Sequence, residues 1–360
     1  MTTKIFRIIM FGVVVLTLST VFTSCSNKKA DTAGAKNVTI TGAGSSFDNP
    51  LFSKMFASYY DSTKVQVNYQ SVGSGAGISQ LTNKTIDFGA SDSPMNSKQD
   101  SAAVAPVLHI PVTAGAVVIS YNLPEVKETL QFTSEIIANI FLGKITKWND
   151  AAITAANPGV KLPATPIVVA HRSDGSGTTA IFTSYLSKVS PDWQSKVGAG
   201  TAVNWPVGLG GKGNEGVSGL VKQTPGGIGY IELAYAVQNK MPYATVQNKA
   251  GNFIVPSIES VTAAANIDIP ADGKVLLTNT DAPDGYPIAG FSWVLLYKDQ
   301  AYGNRTQEQA TQLVQLLNWM IHEGQRFGAD LHYAPLSSAA VTVGENLLRS
   351  ATYNGQPILK

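Results

Sequence analysis

The residues whose types and spacing are best suited to chemistry lie at 171–179, in the order His-Arg-Ser-Asp-Gly-Ser-Gly-Thr-Thr. Arg172 offers a planar, always-charged guanidinium that suits oxyanions, and Ser176 and Thr178 offer hydroxyl donors. An apolar run at 167–170 precedes the stretch, and apolar residues with helical spacing follow it. This order of strand, tight loop and helix predicts an anion site, because the first N–H groups of a helix have no intrahelical partner. A capped turn, which uses the same residue types, is the alternative.

Two further segments repeat this order of strand, glycine-rich loop and helix. Residues 41–47 (Thr-Gly-Ala-Gly-Ser-Ser-Phe) follow a short strand at 38–40, and helical spacing begins after Pro50. Residues 71–77 (Ser-Val-Gly-Ser-Gly-Ala-Gly) follow an alternating strand at 64–70. One such turn means little. Three of them, each with a hydroxyl residue near the helix start, predict convergence on one anion.

Other elements can be predicted from periodicity alone. Asp92 stands at the end of a short strand that Pro94 closes, and an aspartate before Ser-Pro is by itself typical of a turn. The sequence further predicts two strands and two helices, each helix ending at a glycine. The strands are expected at 117–121 and 292–297, and the helices at 134–142 and 307–323.

Motifs of several common enzymes are missing from the sequence. There is no G-x-x-x-x-G-K-[ST] and no G-x-S-x-G, which argues against a P-loop and an esterase elbow. Residues 208–213 fit G-x-G-x-x-G, but they follow Trp205-Pro206 and no clear strand, so a dinucleotide site is not expected. The four histidines have no metal-ligand spacing, so we predict no metal and no cofactor. They are His109, His171, His322 and His332.

The N-terminus has the pattern of a bacterial lipoprotein signal. Basic residues precede an apolar run at 8–22, and small residues precede Cys25. This pattern predicts a signal peptide at 1–24, lipid on the Cys25 sulfur, and a polar tether at 25–37. A signal anchor that stays as a transmembrane helix is the alternative, although the run is short for a span.

Composition limits the possible functions. The chain of 360 residues has 26 basic and 24 acidic side chains, and the two numbers become equal once Lys4 and Arg7 leave with the signal peptide. Such a balance lacks the basic excess that is typical of nucleic-acid-binding proteins. Cys25 is the only cysteine, which argues against disulfides, zinc-thiolate sites and a catalytic thiol. The length favours two domains.

Seven segments, in chain order, resemble the family of phosphate-binding proteins that serve phosphate-specific (Pst-type) ABC importers. The resemblance runs from about residue 39 to the C-terminus, and several of its motifs are long. The segments are 41–47, 73–75 (Gly-Ser-Gly), 87–92 (Asp-Phe-Gly-Ala-Ser-Asp), 142–145 (Leu-Gly-Lys-Ile), 172–178, 205–213 and 229–230 (Gly-Tyr).

The resemblance implies an α/β periplasmic-binding-protein fold of the second type (type II). In this fold two lobes, joined by two crossings, close on a ligand. The chain order places the crossings near Pro111-Val112 and Tyr286-Pro287. The first lobe would comprise 38–112 and 288–360, and the second lobe would comprise 113–287.

The resemblance also implies how the first lobe would hold phosphate. Ser46 would donate its hydroxyl proton and Phe47 its backbone N–H, although the family usually has threonine at the position of Ser46. Ser74 would donate a hydroxyl from the second loop. Gly75 stands where a second serine is frequent in the family, so no side-chain contact is expected there.

The second lobe would supply the charged contact. Arg172 would pair with the phosphate. Asp174 would orient Arg172 and partly offset its positive charge. Ser176 and Thr178 would donate hydroxyl protons, and Gly177 would donate its backbone N–H.

Asp92 is the residue that we expect to set specificity. An ionised carboxylate only accepts hydrogen bonds, so it needs a ligand that carries a proton. Hydrogen phosphate has such a proton and sulfate does not. Buried mismatches of this kind can discriminate by factors on the order of 10⁴ to 10⁵.

The function implied by the resemblance is high-affinity binding of inorganic phosphate between the lobes and its delivery to an ABC importer in the inner membrane. The protein would be a monomer and not an enzyme. Its partners would be phosphate, the permease and ATPase complex, and a membrane reached through the lipid anchor, with no nucleic acid. Its location would be the periplasm or the cell surface.

Three alternatives stay open at this point. The first is a secreted hydrolase of phosphate esters with Ser176 or Ser74 as nucleophile. It lacks an obvious general base, because His171 is expected to point away from Arg172 along the strand. The second is a receptor for another tetrahedral oxyanion such as sulfate or molybdate, against which Asp92 argues. The third is a structural lipoprotein.

Overall fold

Residues 38–359 are described by a computed structural model. The predicted signal peptide at 1–24, the tether at 25–37 and the lipid site at Cys25 lie outside these described residues. Within residues 38–359, no helix is both long enough and apolar enough to cross a membrane.

Helices and strands alternate along most of the described chain. The helices are α1 (Asn49–Thr63), α2 (Ser74–Thr82), α3 (Ser97–Ala102), α4 (Ser134–Phe141), α5 (Ala151–Ala156), α6 (Gly177–Val189), α7 (Pro191–Lys196), α8 (Gly213–Gln223), α9 (Leu233–Gln238), α10 (Ile258–Ala264), α11 (Gln307–Ile321) and α12 (Ser338–Arg349). The strands are β1 (Thr39–Gly44), β2 (Gln66–Ser71), β3 (Phe88–Ser91), β4 (Val107–Tyr121), β5 (Gln131–Phe132), β6 (Val168–Arg172), β7 (Leu209–Gly211), β8 (Gly227–Glu232), β9 (Thr245–Gln247), β10 (Phe253–Ile254), β11 (Ala289–Tyr297), β12 (Thr352–Tyr353) and β13 (Gln356–Pro357).

The main sheet has eight strands in the order β2-β1-β3-β11-β4-β8-β6-β7. β4 joins its two halves, because residues 107–116 pair with β11 and residues 117–121 pair with β8, both antiparallel. β1 is parallel to β2 and β3 in one half, and β6 is parallel to β7 and β8 in the other. Loops at the carboxyl ends of parallel strands are where ligands bind in open α/β sheets.

β1 is longer than the sequence predicts. The strand expected at 38–40 runs on to Gly44, so half of the glycine-rich segment belongs to the sheet. A Cβ on Gly42 would lie 2.1 Å from the ring of Phe88, and a Cβ on Gly44 would lie 2.1 Å from the carbonyl oxygen of Ala90. These glycines therefore allow close packing within the sheet, and the loop itself is confined to the residues that follow.

The three helix starts predicted after the glycine-rich loops are confirmed. α1 has Pro50 in its first turn, α2 begins at Ser74, and α6 begins at Gly177 with Ser176 as its N-cap. The apolar face predicted for α6 is buried and consists of Ile181, Phe182, Tyr185 and Leu186. Burial of this face fixes the position of the helix start against the sheet.

β4 also exceeds its prediction, which covered only 117–121. The strand passes through Pro111, although proline cannot donate a hydrogen bond to a sheet. In the structure Pro111 pairs with Trp293 next to a register shift between the two strands, at which Val112 of β4 has no partner in β11. An irregularity of this type accommodates the missing N–H and lets β4 continue across both halves.

The remaining predictions agree with the structure within three residues. The strand expected at 292–297 is part of β11, and the helices expected at 134–142 and 307–323 are α4 and α11. Gly143 follows α4 with a φ of 72°, the left-handed conformation that ends helices.

Candidate anion-binding site

The starts of four helices meet between the two halves of the sheet. Ser74, the first residue of α2, accepts a hydrogen bond at Oγ from the backbone N–H of Gly177, the first residue of α6, at 3.0 Å. Ser46, in the loop before α1, accepts at Oγ from the backbone N–H of Asn214 in the first turn of α8, also at 3.0 Å. The positive ends of four helix dipoles therefore point at one small region, which favours an anion there.

The carboxylate of Asp174 holds Arg172 at the end of β6 through two hydrogen bonds. The Nε of Arg172 donates to Oδ1 of Asp174 at 2.8 Å, and one terminal nitrogen donates to Oδ2 at 2.6 Å. The other terminal nitrogen lies 3.4 Å from Oγ1 of Thr178. Burial opposes ionisation of Asp174, but its hydrogen bonds with Arg172 and the charge of Arg172 outweigh it, so the pKa of Asp174 is lowered. The guanidinium is thus oriented with one edge toward α6.

Asp92 lies on the opposite side of the same region and is buried. Its Oδ1 accepts from Oγ of Ser45 at 2.5 Å and lies 2.8 Å from Oγ of Ser292. Burial raises the pKa of Asp92 to about 6, against the lowering effects of the two serine hydroxyls and the charge of Arg172. The carboxyl group is therefore ionised at neutral pH, and an ionised carboxylate can only accept hydrogen bonds.

Four hydroxyl groups of the predicted site all act as hydrogen-bond acceptors toward the protein. Within residues 38–359, the oxygens of Ser46, Ser74, Ser176 and Thr178 each accept an N–H, and none of the four donates to another protein atom. The side-chain amide of Asn214 donates to Oγ of Ser46 at 2.9 Å and to Oγ1 of Thr178 at 3.1 Å. Because a hydroxyl has a single proton and each oxygen here acts as an acceptor, the proton of each group is available for a further acceptor.

The hydroxyl of Ser176 also serves as a helix cap. Its Oγ accepts from the backbone N–H of Thr179 at 3.0 Å, which agrees with the capped-turn alternative. The cap uses an oxygen lone pair and leaves the hydroxyl proton available. Capping and anion binding are therefore compatible at this residue.

The two backbone amides that the resemblance assigned to phosphate donate within the protein in this structure. The N–H of Phe47 donates to Oγ of Ser45 at 2.9 Å, and the N–H of Gly177 donates to Oγ of Ser74 at 3.0 Å. Phe47 and Gly177 nevertheless lie at the same meeting point as the hydroxyl groups. Their contact with an anion stays a prediction.

Several residues of the site were missed by sequence reasoning. Residues 208–213 were compared with a dinucleotide motif and counted in the family resemblance, but no site residue was predicted there or just after them; they contain β7 and lead into α8. Asn214 follows as the residue that links Ser46 to Thr178. The signal was available, because this is a fourth strand, glycine-rich turn and helix start. Ser292 had no such signal, since it comes from β11, far away in the sequence.

The histidines lie apart from this meeting point or face away from it. The ring of His171 stacks on Trp205 with a centroid distance of 4.9 Å, and its Nδ1 lies 3.0 Å from the carbonyl oxygen of Arg172. His109 accepts from the backbone N–H of Met95, and His322 pairs with Glu345. In the described part of the chain, no group of three or more histidine, cysteine, aspartate or glutamate side chains is placed to hold a metal ion.

A sheet in two halves, with a buried candidate anion site where they meet, is typical of the class of proteins that enclose a small ligand between two α/β lobes. A family model described as "PBP superfamily domain" matches residues 30–323. The chain belongs to this superfamily and, within it, to the family of PstS phosphate-binding proteins. It has the two-lobe fold of that class.

Family membership rests on close relatives. The chain is 48% identical to the phosphate-binding protein PstS of Xylella fastidiosa over 305 residues, which cover 84% of this chain and 82% of that protein. It is 45% identical to PstS of Pasteurella multocida over 308 residues, which cover 84% and 88%. The crystal structure of a phosphate-binding protein from Stenotrophomonas maltophilia matches with a TM-score of 0.66 and 18% identity, covering 89% of this chain and 96% of that chain. The last comparison bears on the fold alone.

Proposed function

We propose that this chain binds inorganic phosphate in the site between its two halves and delivers it to an ABC importer. The observation that carries the proposal is the set of hydroxyl groups of Ser46, Ser74, Ser176 and Thr178, which accept N–H groups from the protein and keep their protons. Phosphate has the acceptor oxygens that such a set requires. The PstS relatives support this ligand.

Each predicted residue has a distinct task in this proposal. Arg172 supplies positive charge in a plane that Asp174 fixes. The four hydroxyls donate to phosphate oxygens, and the N–H groups of Phe47 and Gly177 turn to the ligand when it is bound. Asp92 accepts a hydrogen bond from the protonated oxygen of hydrogen phosphate and rejects sulfate, which has no proton to donate. A sulfate or molybdate receptor is therefore disfavoured.

The lobes of this proposal follow the two halves of the sheet except at residues 113–116, which pair with β11. We assign 38–112 and 288–360 to the first lobe and 113–287 to the second, with β4 and the chain before β11 as the crossings. Near these crossings the hydroxyl of Tyr286 donates to the carbonyl oxygen of Val117 at 3.0 Å. A ligand that contacts both lobes would hold them together by its own hydrogen bonds.

The chain acts as a receptor and not as an enzyme, as its family does. A phosphate-ester hydrolase with Ser176 or Ser74 as nucleophile would need a general base. The histidine next to Arg172, His171, is stacked on Trp205 and does not supply that base. We place the protein in the periplasm or at the cell surface as a monomer, anchored by lipid on Cys25 and supplying a permease and ATPase complex.

Equilibrium dialysis with labelled phosphate tests this function. The purified protein, unfolded and refolded to remove retained ligand, should bind one phosphate per chain, and excess sulfate should not displace it. A phosphate-ester hydrolysis assay on the same sample should give no product. Absence of phosphate binding would refute the proposal, and displacement by sulfate would refute the role of Asp92.

A further inference from the structure

A second aspartate lies beside Asp92 without an assigned role. Asp48 occupies the N-cap position of α1, where an aspartate normally accepts from a backbone N–H of the first turn. Its side chain makes no such hydrogen bond and is fully buried. Oδ2 lies 2.6 Å from Oγ of Ser292, and Oδ1 has no hydrogen-bond partner. The side chain is thus directed into the protein, at the back of the anion site.

Ser292 stands between the two carboxyl groups. Its Oγ lies 2.6 Å from Oδ2 of Asp48 and 2.8 Å from Oδ1 of Asp92. A hydroxyl has one proton and can donate it to only one of them. The second short contact needs another proton, so one of the two carboxyl groups must be the donor in that contact. Ser292 lies at the register shift between β11 and β4. Irregularities of this kind redirect side chains near binding and active sites.

The surroundings decide which carboxyl group carries this extra proton. Asp92 has a second hydroxyl donor, Ser45, and feels the positive charge of Arg172, both of which favour its ionised form. In residues 38–359, no lysine, arginine or histidine forms an ion pair with Asp48.

Besides the hydroxyls of Ser292 and Ser45, the groups that face Asp48 are all acids or phenols. They are Asp92, Glu232, Tyr69 and Tyr333. Burial, followed by the charge of Asp92, raises the pKa of Asp48 well above its usual range. Burial likewise raises the pKa of Glu232, and none of these acids or phenols can supply a positive charge to stabilise ionised Asp48.

We propose that Asp48 is a protonated carboxylic acid at neutral pH that donates to Ser292, which commits the Ser292 proton to Asp92. Asp48 is then a positioning residue for the carboxylate that selects the anion. With Ser45 and Ser292 both donating to Oδ1, Asp92 is fixed as an ionised acceptor. Its Oδ2 remains on the side of α6, where a Cβ on Gly177 would lie 2.5 Å from it. This inference rests on the proposed function, because it explains how Asp92 selects hydrogen phosphate.

The proposal predicts a specific pH dependence. When Asp48 ionises at alkaline pH, a second negative charge appears behind the site, and the Ser292 proton can turn toward Asp48. The negative charge of bound phosphate raises the pKa of Asp48 further, so phosphate affinity of the wild type should fall with rising pH. The fall should reach up to tenfold for each unit by which bound phosphate raises that pKa. The variant Asp48→Asn keeps a donor toward Ser292 and cannot ionise. It should not show this fall.

Calorimetric titration of phosphate from about pH 6 to about pH 9 tests this dependence in the wild type, Asp48→Asn and Asp61→Asn. Asp61 is an exposed carboxylate on the same helix and is the matched control. We expect Asp48→Asn to match the wild-type affinity at pH 7 within about threefold and to diverge from it at higher pH, and Asp61→Asn to follow the wild type throughout. Tighter anion binding by Asp48→Asn at pH 7, or parallel profiles, would overturn the proposal.

An infrared difference spectrum of the phosphate-free proteins separates this inference from the proposed function. At pH 7 the wild type should show the carbonyl band of a protonated carboxylic acid that Asp48→Asn lacks, while Ser292→Ala should shift that band. Absence of the band would overturn the inference even if phosphate binds. If the band is present but phosphate does not bind, the protonation of Asp48 is supported, while the receptor function and the positioning role are both refuted.

Discussion

Replacement of Asp92 by asparagine should convert a phosphate-selective site into one that also accepts sulfate. Oδ1 of Asp92 is the oxygen that Ser45 and Ser292 contact, at 2.5 and 2.8 Å. The asparagine carbonyl can keep both contacts, and its NH₂ group then occupies the position of Oδ2, near the start of α6. A donor in that position suits an unprotonated sulfate oxygen.

The size of the effect follows from the hydrogen bonds that change. Phosphate loses a charge-assisted hydrogen bond worth about 1.5–3 kcal/mol, which corresponds to a loss of about 10- to 100-fold in affinity. Sulfate no longer faces a buried carboxylate and gains a donor. The preference for phosphate over sulfate should therefore fall from on the order of 10⁴ or more to below about 10².

Calorimetric titration with each anion, in the wild type, Asp92→Asn and Asp61→Asn, measures this preference. Asp61→Asn removes an exposed carboxylate and should bind as the wild type does. If Asp92→Asn continues to reject sulfate while it binds phosphate, the carboxylate is not the selective group and the reasoning fails. Thermal unfolding of each variant shows whether lost binding reflects lost folding.

Three further predictions concern the same site. Arg172→Lys cannot form the two-nitrogen contact with Asp174, so its phosphate affinity should fall about 10- to 100-fold in titration calorimetry; unchanged affinity would exclude Arg172 from the site. Gly177→Ala places a Cβ 2.6 Å from the backbone nitrogen of Asp92 and should abolish binding in equilibrium dialysis. Gly219→Ala, where a Cβ meets nothing within 4 Å, should bind normally, and equal behaviour of the two alanine variants would contradict the close approach. Folding raises the pKa of Asp92 to about 6; a raised pKa contributes stability that is lost as pH rises through it. The free energy of unfolding in urea should therefore fall in the wild type relative to Asp92→Asn between about pH 4 and about pH 7, and parallel curves would refute the raised pKa.

The elements that carry the site were predictable where local chemistry and periodicity agree. The loop before α6 combines an apolar strand, a glycine and a hydroxyl at the helix start, and each of these acts over a few residues. The same pattern located Ser74 and the loop that contains Ser46. The roles of individual residues came from the resemblance to a family, because spacing alone does not show which donor faces a ligand.

The parts that were not predicted depend on contacts between distant segments. The prediction for β4 covered only 117–121, because the part of the strand that contains Pro111 depends on pairing with the distant β11 beside a register shift. Ser292 joins Asp48 to Asp92 across more than half of the chain, so no local pattern marks it. Asp48 itself has the sequence signature of a helix cap, and only its burial shows that it is directed elsewhere.

The most direct test of the central claim is a pair of calorimetric titrations of the refolded wild-type protein, one with phosphate and one with sulfate, in the same buffer. We predict tight binding of one phosphate per chain and no heat from sulfate. Equal binding of both anions would contradict selection by Asp92, and no heat from either would contradict the assignment of this site to phosphate.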